Sequence, residues 1–219
     1  MNNNTPNNTT EIAFILDRSG SMESIAEAAV SSFNELLERQ KKEHEQTPVR
    51  MSLVLFNTEY EVPFSSAMAS ELPRLDMKTY APDGGTALLD AMGRTIDELG
   101  SRLASMSEGD RPGKVIVAIM TDGEENSSRI FSWNQISEKI KQQRDIYKWE
   151  FLFLGANQDA IATAGRMNIE ECRSSNFHST NKGIRSSMRG VGRTLFQMKS
   201  CDPEQTPLSD LVEEAESQE

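Results

Sequence analysis

The chain has 219 residues, 37% of them hydrophobic, with a formal net charge of −11 and two cysteines. That length suits one domain with tails and allows a sizeable core, and no apolar stretch approaches the ~18 residues that span a membrane. Residues 202–219 hold seven acidic and no basic residues, so −11 less −7 leaves −4 on the first 201, too acidic a balance for a duplex-DNA partner.

Residues 1–10 are rich in Asn and Thr, without charge or an apolar centre. They predict a disordered leader and not a secretory signal. With no signal, Cys172 and Cys201 are expected as reduced thiols, and the expected compartment is cytoplasmic. The first buried strand is the apolar run 12–16, which ends in Asp17-Arg18-Ser19-Gly20-Ser21. Helical spacing of Ile25, Ala29, Val30, Phe33, Leu36 and Leu37 predicts a helix over 22–43, stopped by Gln46-Thr47-Pro48. A strand over 49–56 and a hairpin partner over 59–64 follow, and Pro63 marks that partner as an edge strand. Asp83-Gly84-Gly85-Thr86 turns into a helix marked by Leu88, Met92, Ile96, Leu99 and Leu103. Next come a strand over 114–121 closed by Asp122-Gly123, a helix near 132–144 and a strand over 149–154. A short helix near 157–168 and a short strand near 173–177 complete the alternation.

In the final helix Ile184, Met188, Val191 and Leu195 form the face expected to dock on the sheet. Lys182, Arg185, Arg189 and Arg193 form a basic stripe on the other. The stripe is either an ordinary solvated face or a docking strip for an anionic partner, the chain's own acidic tail included. That tail is expected to be disordered or to fold as a short helix on binding. The domain plan is a leader (1–10), one domain (11–200) and an acidic tail (201–219). A hairpin inside a β/α alternation predicts an α/β fold: a doubly wound, mostly parallel central sheet with one antiparallel edge strand and helices on both faces. No Walker loop, Gly-x-Gly-x-x-Gly motif or internal repeat occurs, so nucleotide binding and solenoid architectures lack support.

Three segments carry oxygen ligands at the ends of such elements. Asp17, Ser19 and Ser21 alternate in a loop that, if extended, turns all three side chains toward one point. Thr86 stands at a turn–helix junction, and Asp122 ends a second buried strand. Taken singly, each segment is as well explained by a helix N-cap or a turn dipeptide. All three in this order favour a metal site. Hard oxygens suit Mg²⁺, Mn²⁺ or Ca²⁺ and suit Zn²⁺ or copper poorly.

Here the chain resembles the von Willebrand factor A domain and its metal-ion-dependent adhesion site, over roughly residues 11–200. That pattern, Asp-x-Ser-x-Ser, a distant Thr and an Asp after a later strand, maps without departure onto Asp17, Ser19, Ser21, Thr86 and Asp122. The resemblance implies that Ser19 and Ser21 bind the ion directly and Thr86 directly or through water. Asp17 and Asp122 would hold it mainly through its waters. Neutral direct ligands leave the ion electrophilic, so it can accept an Asp or Glu carboxylate from a partner protein. The resemblance further implies a non-catalytic adaptor of the intracellular bacterial or phage type, while the charge balance and the lack of a long apolar stretch argue against a nucleic-acid or membrane partner. Some relatives of this type act in complexes with AAA+ ATPases. Oligomeric state stays open.

Two other functions compete. One is a Mg²⁺-dependent phosphohydrolase with Asp17 as nucleophile, but it lacks an acid two residues later, where Ser19 stands. The other is a structural or self-assembling protein. Gly20, Gly84 and Gly85 are expected to allow the tight turns of the site. Glu124 and Glu125 either help select the partner or form a solvated acidic loop, and Asp90 is either a supporting acceptor or plain helix charge. His44 and His178 are expected at the surface. Trp133, Trp149, Phe151 and Phe153 are expected in or at the edge of the core.

Overall fold

The computed structural model describes residues 7–43, 47–156, 159–200 and 206–218. Its centre is β1 (Thr10–Asp17), which pairs in parallel with β2 (Val49–Phe56) on one side and β4 (Lys114–Thr121) on the other. The sheet extends through the antiparallel edge strand β3 (Tyr60–Met68) and, beyond β4, through β5 (Glu150–Ala156) and β6 (Ser174–Phe177). The order is β3-β2-β1-β4-β5-β6. This is the expected doubly wound sheet with one antiparallel edge, and Pro63 lies in that edge strand.

Both faces of the central strands are buried, so period-two alternation sorts their side chains between two cores. Ile12, Phe14 and Leu16 join the core under α1 (Ala26–Glu43), α5 (Asn181–Ser200) and α6 (Leu208–Ser217). Ala13 and Ile15 join the one under α2 (Leu88–Ser105), α3 (Trp133–Tyr147) and α4 (Ala160–Arg166). Helix α3 starts at a capping box, in which the Ser132 hydroxyl accepts from Gln135 N and the Gln135 side chain accepts from Ser132 N.

Three details differ from the sequence expectation. The helix expected over 22–43 is a 3₁₀ turn over Gly20–Ile25 followed by α1, because Met22 N closes a tight turn onto the Ser19 carbonyl at 3.0 Å. Thr10 already belongs to β1, and the Asn7 amide donates to the Asp110 carbonyl at 3.1 Å; residues 1–6 of the expected leader lie outside the described residues. In the acidic tail, residues 208–217 form α6, which buries Leu208, Leu211, Val212 and Ala215 against the domain. His44 and Cys201 lie outside the described residues, whereas His178 is exposed. Trp149, Phe151 and Phe153 are buried as expected, and Trp133 is half-buried beneath the Arg166 guanidinium.

On α5 the apolar face is buried as expected. The acidic segment does return to the basic stripe at Arg193, whose Nη1 lies 3.0 Å from Glu214 and whose Nη2 donates to Gln218 Oε1 at 2.8 Å. Lys182 and Arg185, further up the stripe, are exposed. Among the described residues no helix is long and apolar enough to cross a membrane.

Candidate metal centre

Strands β1 and β4 are neighbours from which the chain winds in opposite directions, and the crevice at their carboxyl ends is where open α/β sheets hold ligands. The register sets Leu16 beside Met120, so Asp17 and Thr121 leave the sheet together. Thr121 Oγ1 donates to Asp17 Oδ2 at 2.5 Å, and Ser19 N donates to Asp17 Oδ1 at 2.7 Å. The 3₁₀ turn then sets Ser21 Oγ 3.1 Å from Ser19 Oγ. Ser21 is therefore not in an extended loop, as alternation alone predicts; helical winding aims it. Its hydroxyl donates to Asp122 Oδ1 at 2.5 Å.

Thr86 arrives from a third loop. A methyl group in place of a Gly123 hydrogen would lie 3.1 Å from Thr86 Oγ1 and 3.4 Å from Ser21 Oγ, so Gly123 is the spacer on which both hydroxyls close. The fold thus gathers Asp17, Ser19, Ser21, Thr86 and Asp122 in one place. Asp17, Ser19, Thr86 and Asp122 are nearly inaccessible, whereas Ser21 is exposed and opens the site to solvent. Burial pushes the Asp17 carboxyl up from 3.8 to about 6, only partly offset by the bonds from Thr121 and Ser19. Burial also raises Asp122, against the bonds from Ser21 and Ser179. Two carboxylates and three hydroxyls, without nitrogen or sulfur, form a donor set that fits a hard divalent cation. No group of three or more His, Cys, Asp or Glu side chains placed to hold a metal occurs among the described residues.

The loops are locked to one another through backbone groups. Gly20 N donates to the Gly84 carbonyl and Asp83 N to the Arg18 carbonyl, each at 3.0 Å. Of the three expected turn glycines only Gly84 has a positive φ, +70°. At Gly85 the constraint is steric, since a Cβ there would lie 2.3 Å from Ser127 Oγ and 2.8 Å from Asn126 Oδ1, and those side chains would have to move. Thr86 N donates to Asn126 Oδ1 at 2.9 Å, and the Thr86 carbonyl accepts from Asn126 N and Ser127 N.

Two of the three acidic residues left open by the sequence hold each other's segments across this clasp. Glu125 accepts from Leu89 N at 3.0 Å, covering the amino end of α2. Asp90 accepts from the backbone N–H groups of Arg129, Ile130 and Phe131. Glu125 is thus a loop anchor, while Glu124 is exposed.

Three contributors escape sequence reasoning. Thr121 stands beside Asp122 and could have been found from its place at a strand end. Tyr80, fully buried, donates to the Asp17 carbonyl at 2.5 Å, and Ser179 Oγ donates to Asp122 Oδ2 at 3.3 Å. Nothing in the sequence around either one points to the site.

The von Willebrand factor type A domain family matches residues 11–184. The chain belongs to that family. The match ends within α5, so α6 lies beyond it. No curated protein matches the chain. Solved structures of similar fold include the pilus adhesin SpaC from Lactobacillus rhamnosus GG, at 14% identity and a TM-score of 0.64, covering 86% of this chain and 31% of that one. The PilB minor pilin from Streptococcus sanguinis has 10% identity and a TM-score of 0.61, with 89% and 63% covered. Proximal thread matrix protein 1 from the mussel byssus, with a zinc-occupied MIDAS motif, has 15% identity and a TM-score of 0.57, with 84% and 45% covered. The chain spans less than two thirds of each of these structures, and at such identities the likeness is one of fold.

Proposed function

We propose that this von Willebrand factor A domain is a non-catalytic protein-binding module. It captures a partner's Asp or Glu carboxylate through a divalent cation held by Asp17, Ser19, Ser21, Thr86 and Asp122. The observation that carries this reading is the meeting of two buried carboxylates and three hydroxyls from three separate loops, with Ser21 at the solvent edge. Ser19, Ser21 and Thr86 would supply neutral oxygens, and Asp17 and Asp122 would orient those hydroxyls and the ion's waters. When bound, the cation supplies a Lewis-acidic position for an external carboxylate.

Mg²⁺ is the proposed ion, with Mn²⁺ and Ca²⁺ as chemically similar alternatives. The mussel protein's zinc-occupied motif makes Zn²⁺ a necessary comparison, although oxygen ligands alone argue against it. We place the protein in the cytoplasm as an adaptor, with an AAA+ ATPase-containing assembly as one partner class. The phosphohydrolase alternative is not favoured. The Asp17 carboxylate is inaccessible and engaged by Thr121 and Ser19, a poor posture for a nucleophile.

Isothermal titration of EDTA-stripped protein with Mg²⁺, Mn²⁺ and Zn²⁺ tests the site. Saturable binding lost in Ser19→Ala and in Asp122→Ala is the expected result. Binding unchanged in both variants would place the cation elsewhere and end this assignment.

A further inference from the structure

The corner between β6 and α5 touches the candidate site at Ser179, whose hydroxyl donates to Asp122 Oδ2 at 3.3 Å. Thr180 then starts the helix: its hydroxyl accepts from Gly183 N and its carbonyl from Ile184 N, each at 3.0 Å. Helix α5 therefore starts beside the site and runs back along the sheet, toward the start of β4, with Lys182 in its first turn and Arg185 one turn farther on. Both are exposed, and neither side chain has an ion-pair or hydrogen-bond partner among the described residues. Arg193, lower on the same stripe, is instead held by Glu214 and Gln218.

The opposite flank has the other sign. Asp83, joined to the metal loop through Arg18, is exposed, as are Glu59 and Glu61 on the adjoining hairpin. The cation among them, Arg18, is largely buried, 2.7 Å from Glu61 and 3.7 Å from Glu59. Glu124, just past Asp122, is exposed as well. An acidic ligand anchored at the metal is thus repelled on the hairpin side and attracted on the α5 side.

We propose that Ser179, Lys182 and Arg185 form the second half of the partner surface. It fits a protein segment that carries further Asp or Glu residues beside the carboxylate shared with the metal. The proposal rests on the metal-dependent capture argued above. Arg185 lies about 4.5 Å farther along the helix axis than Lys182. An extended peptide advances about 3.3 Å per residue, so two carboxylates about one or two residues apart match the spacing of the two cations. Ser179 ties the corner to the metal by holding the second oxygen of Asp122.

The test uses the full chain in Mn²⁺ and two synthetic peptides. One carries a single aspartate in a Gly/Ser background, and the other adds glutamates on both flanks of that aspartate. At low salt the multi-acid peptide should bind about tenfold tighter, and the advantage should vanish by ~0.5 M salt. It should also vanish in the double variant Lys182→Gln/Arg185→Gln, with Mn²⁺ affinity and single-acid binding unchanged. Equal binding of the two peptides, or an advantage that survives the double substitution, overturns the proposal and leaves carboxylate capture standing. If Mn²⁺ binds but neither peptide does, carboxylate capture itself fails and the proposal falls with it.

Discussion

Replacing Asp90 by alanine removes the acceptor of three backbone N–H groups, that of Arg129 at 2.8 Å and those of Ile130 and Phe131 at 2.9 Å each. A hydrogen bond to a charged acceptor contributes about 1.5–3 kcal/mol net. Arg129 and Ile130 are exposed and regain water, whereas Phe131 is half-buried, so the three losses do not add. The expected destabilisation is about 2–3 kcal/mol. Asp90→Asn keeps Oδ1, which serves Ile130 and Phe131, and should cost about 1 kcal/mol.

The effect should not stay local, because the loop Asp90 holds is also clasped to Thr86. Asn126 N and Ser127 N donate to the Thr86 carbonyl, and Asn126 Oδ1 accepts from Thr86 N. Slack at 129–131 therefore reaches a proposed ligand from both sides. Urea unfolding followed by tryptophan fluorescence measures the stability, and amide hydrogen exchange measures the loop. The expected pattern is a lower midpoint with an unchanged slope, and faster exchange confined to 123–131 and the start of α2. A loss under ~0.5 kcal/mol, within the range of ordinary surface substitutions, would refute the anchoring role, as would unchanged exchange in the loop.

Gly190→Leu should release α6, because a Cβ at 190 meets Val212 Cγ2 at 2.6 Å and the Val212 backbone nitrogen at 3.1 Å. The expected cost is about 1–3 kcal/mol, with new proteolytic cleavage in 206–218; Arg193→Ala, which removes a surface ion pair and the hydrogen bond to Gln218, should cost about 1 kcal/mol. Glu11 is fully buried, and burial raises its carboxyl above the ordinary 4.5 despite the Arg102 guanidinium at 2.9 Å. Its contribution to stability is complete below 4.5 and is lost as pH rises through the raised value, so Glu11→Gln should flatten that part of the stability–pH curve relative to the parent. Asp17→Asn should leave the EDTA-treated protein at pH 7 as stable as the parent or more so, yet abolish any gain in Tm on adding Mg²⁺. A variant that unfolds more readily in EDTA, or that keeps the Mg²⁺ gain, would contradict this.

The legible part of the candidate site is the part that is local. Asp17 and Asp122 end apolar strands, and Ser19 and Ser21 follow within one turn, so position along the chain already implies position in space. Thr86 precedes a helix and is legible for the same reason. What stayed hidden depends on partners distant in sequence: Asp90 with 129–131, Glu125 with Leu89, and Ser179 with Asp122, which is 57 residues away. Each is a polar residue of an ordinary kind until the loops meet. Helix α6 was obscured differently. Leu208, Leu211, Val212 and Ala215 have helical spacing, but the charge of the segment outweighed that short apolar stripe. Glu11 has no local signal either, since its counterion Arg102 comes from the far end of α2.

These features set the energetics of the site against its stability. Raising the Asp17 carboxyl from 3.8 to about 6 corresponds to roughly 3 kcal/mol against the ionised side chain. That penalty is absent below 3.8 and fully developed above about 6, so at neutral pH the fold holds a carboxylate it would be more stable without. Thr121, Ser19 and Tyr80 fix Asp17 in place, and none of them brings a positive charge. A well-packed fold that needed only stability would put an amide or an apolar group at this strand end. A buried anion kept beside a second carboxylate, under an exposed hydroxyl, makes sense where a cation completes it. The same logic separates Asp17 from Glu11, which is also buried but has its cation, Arg102, built into the chain.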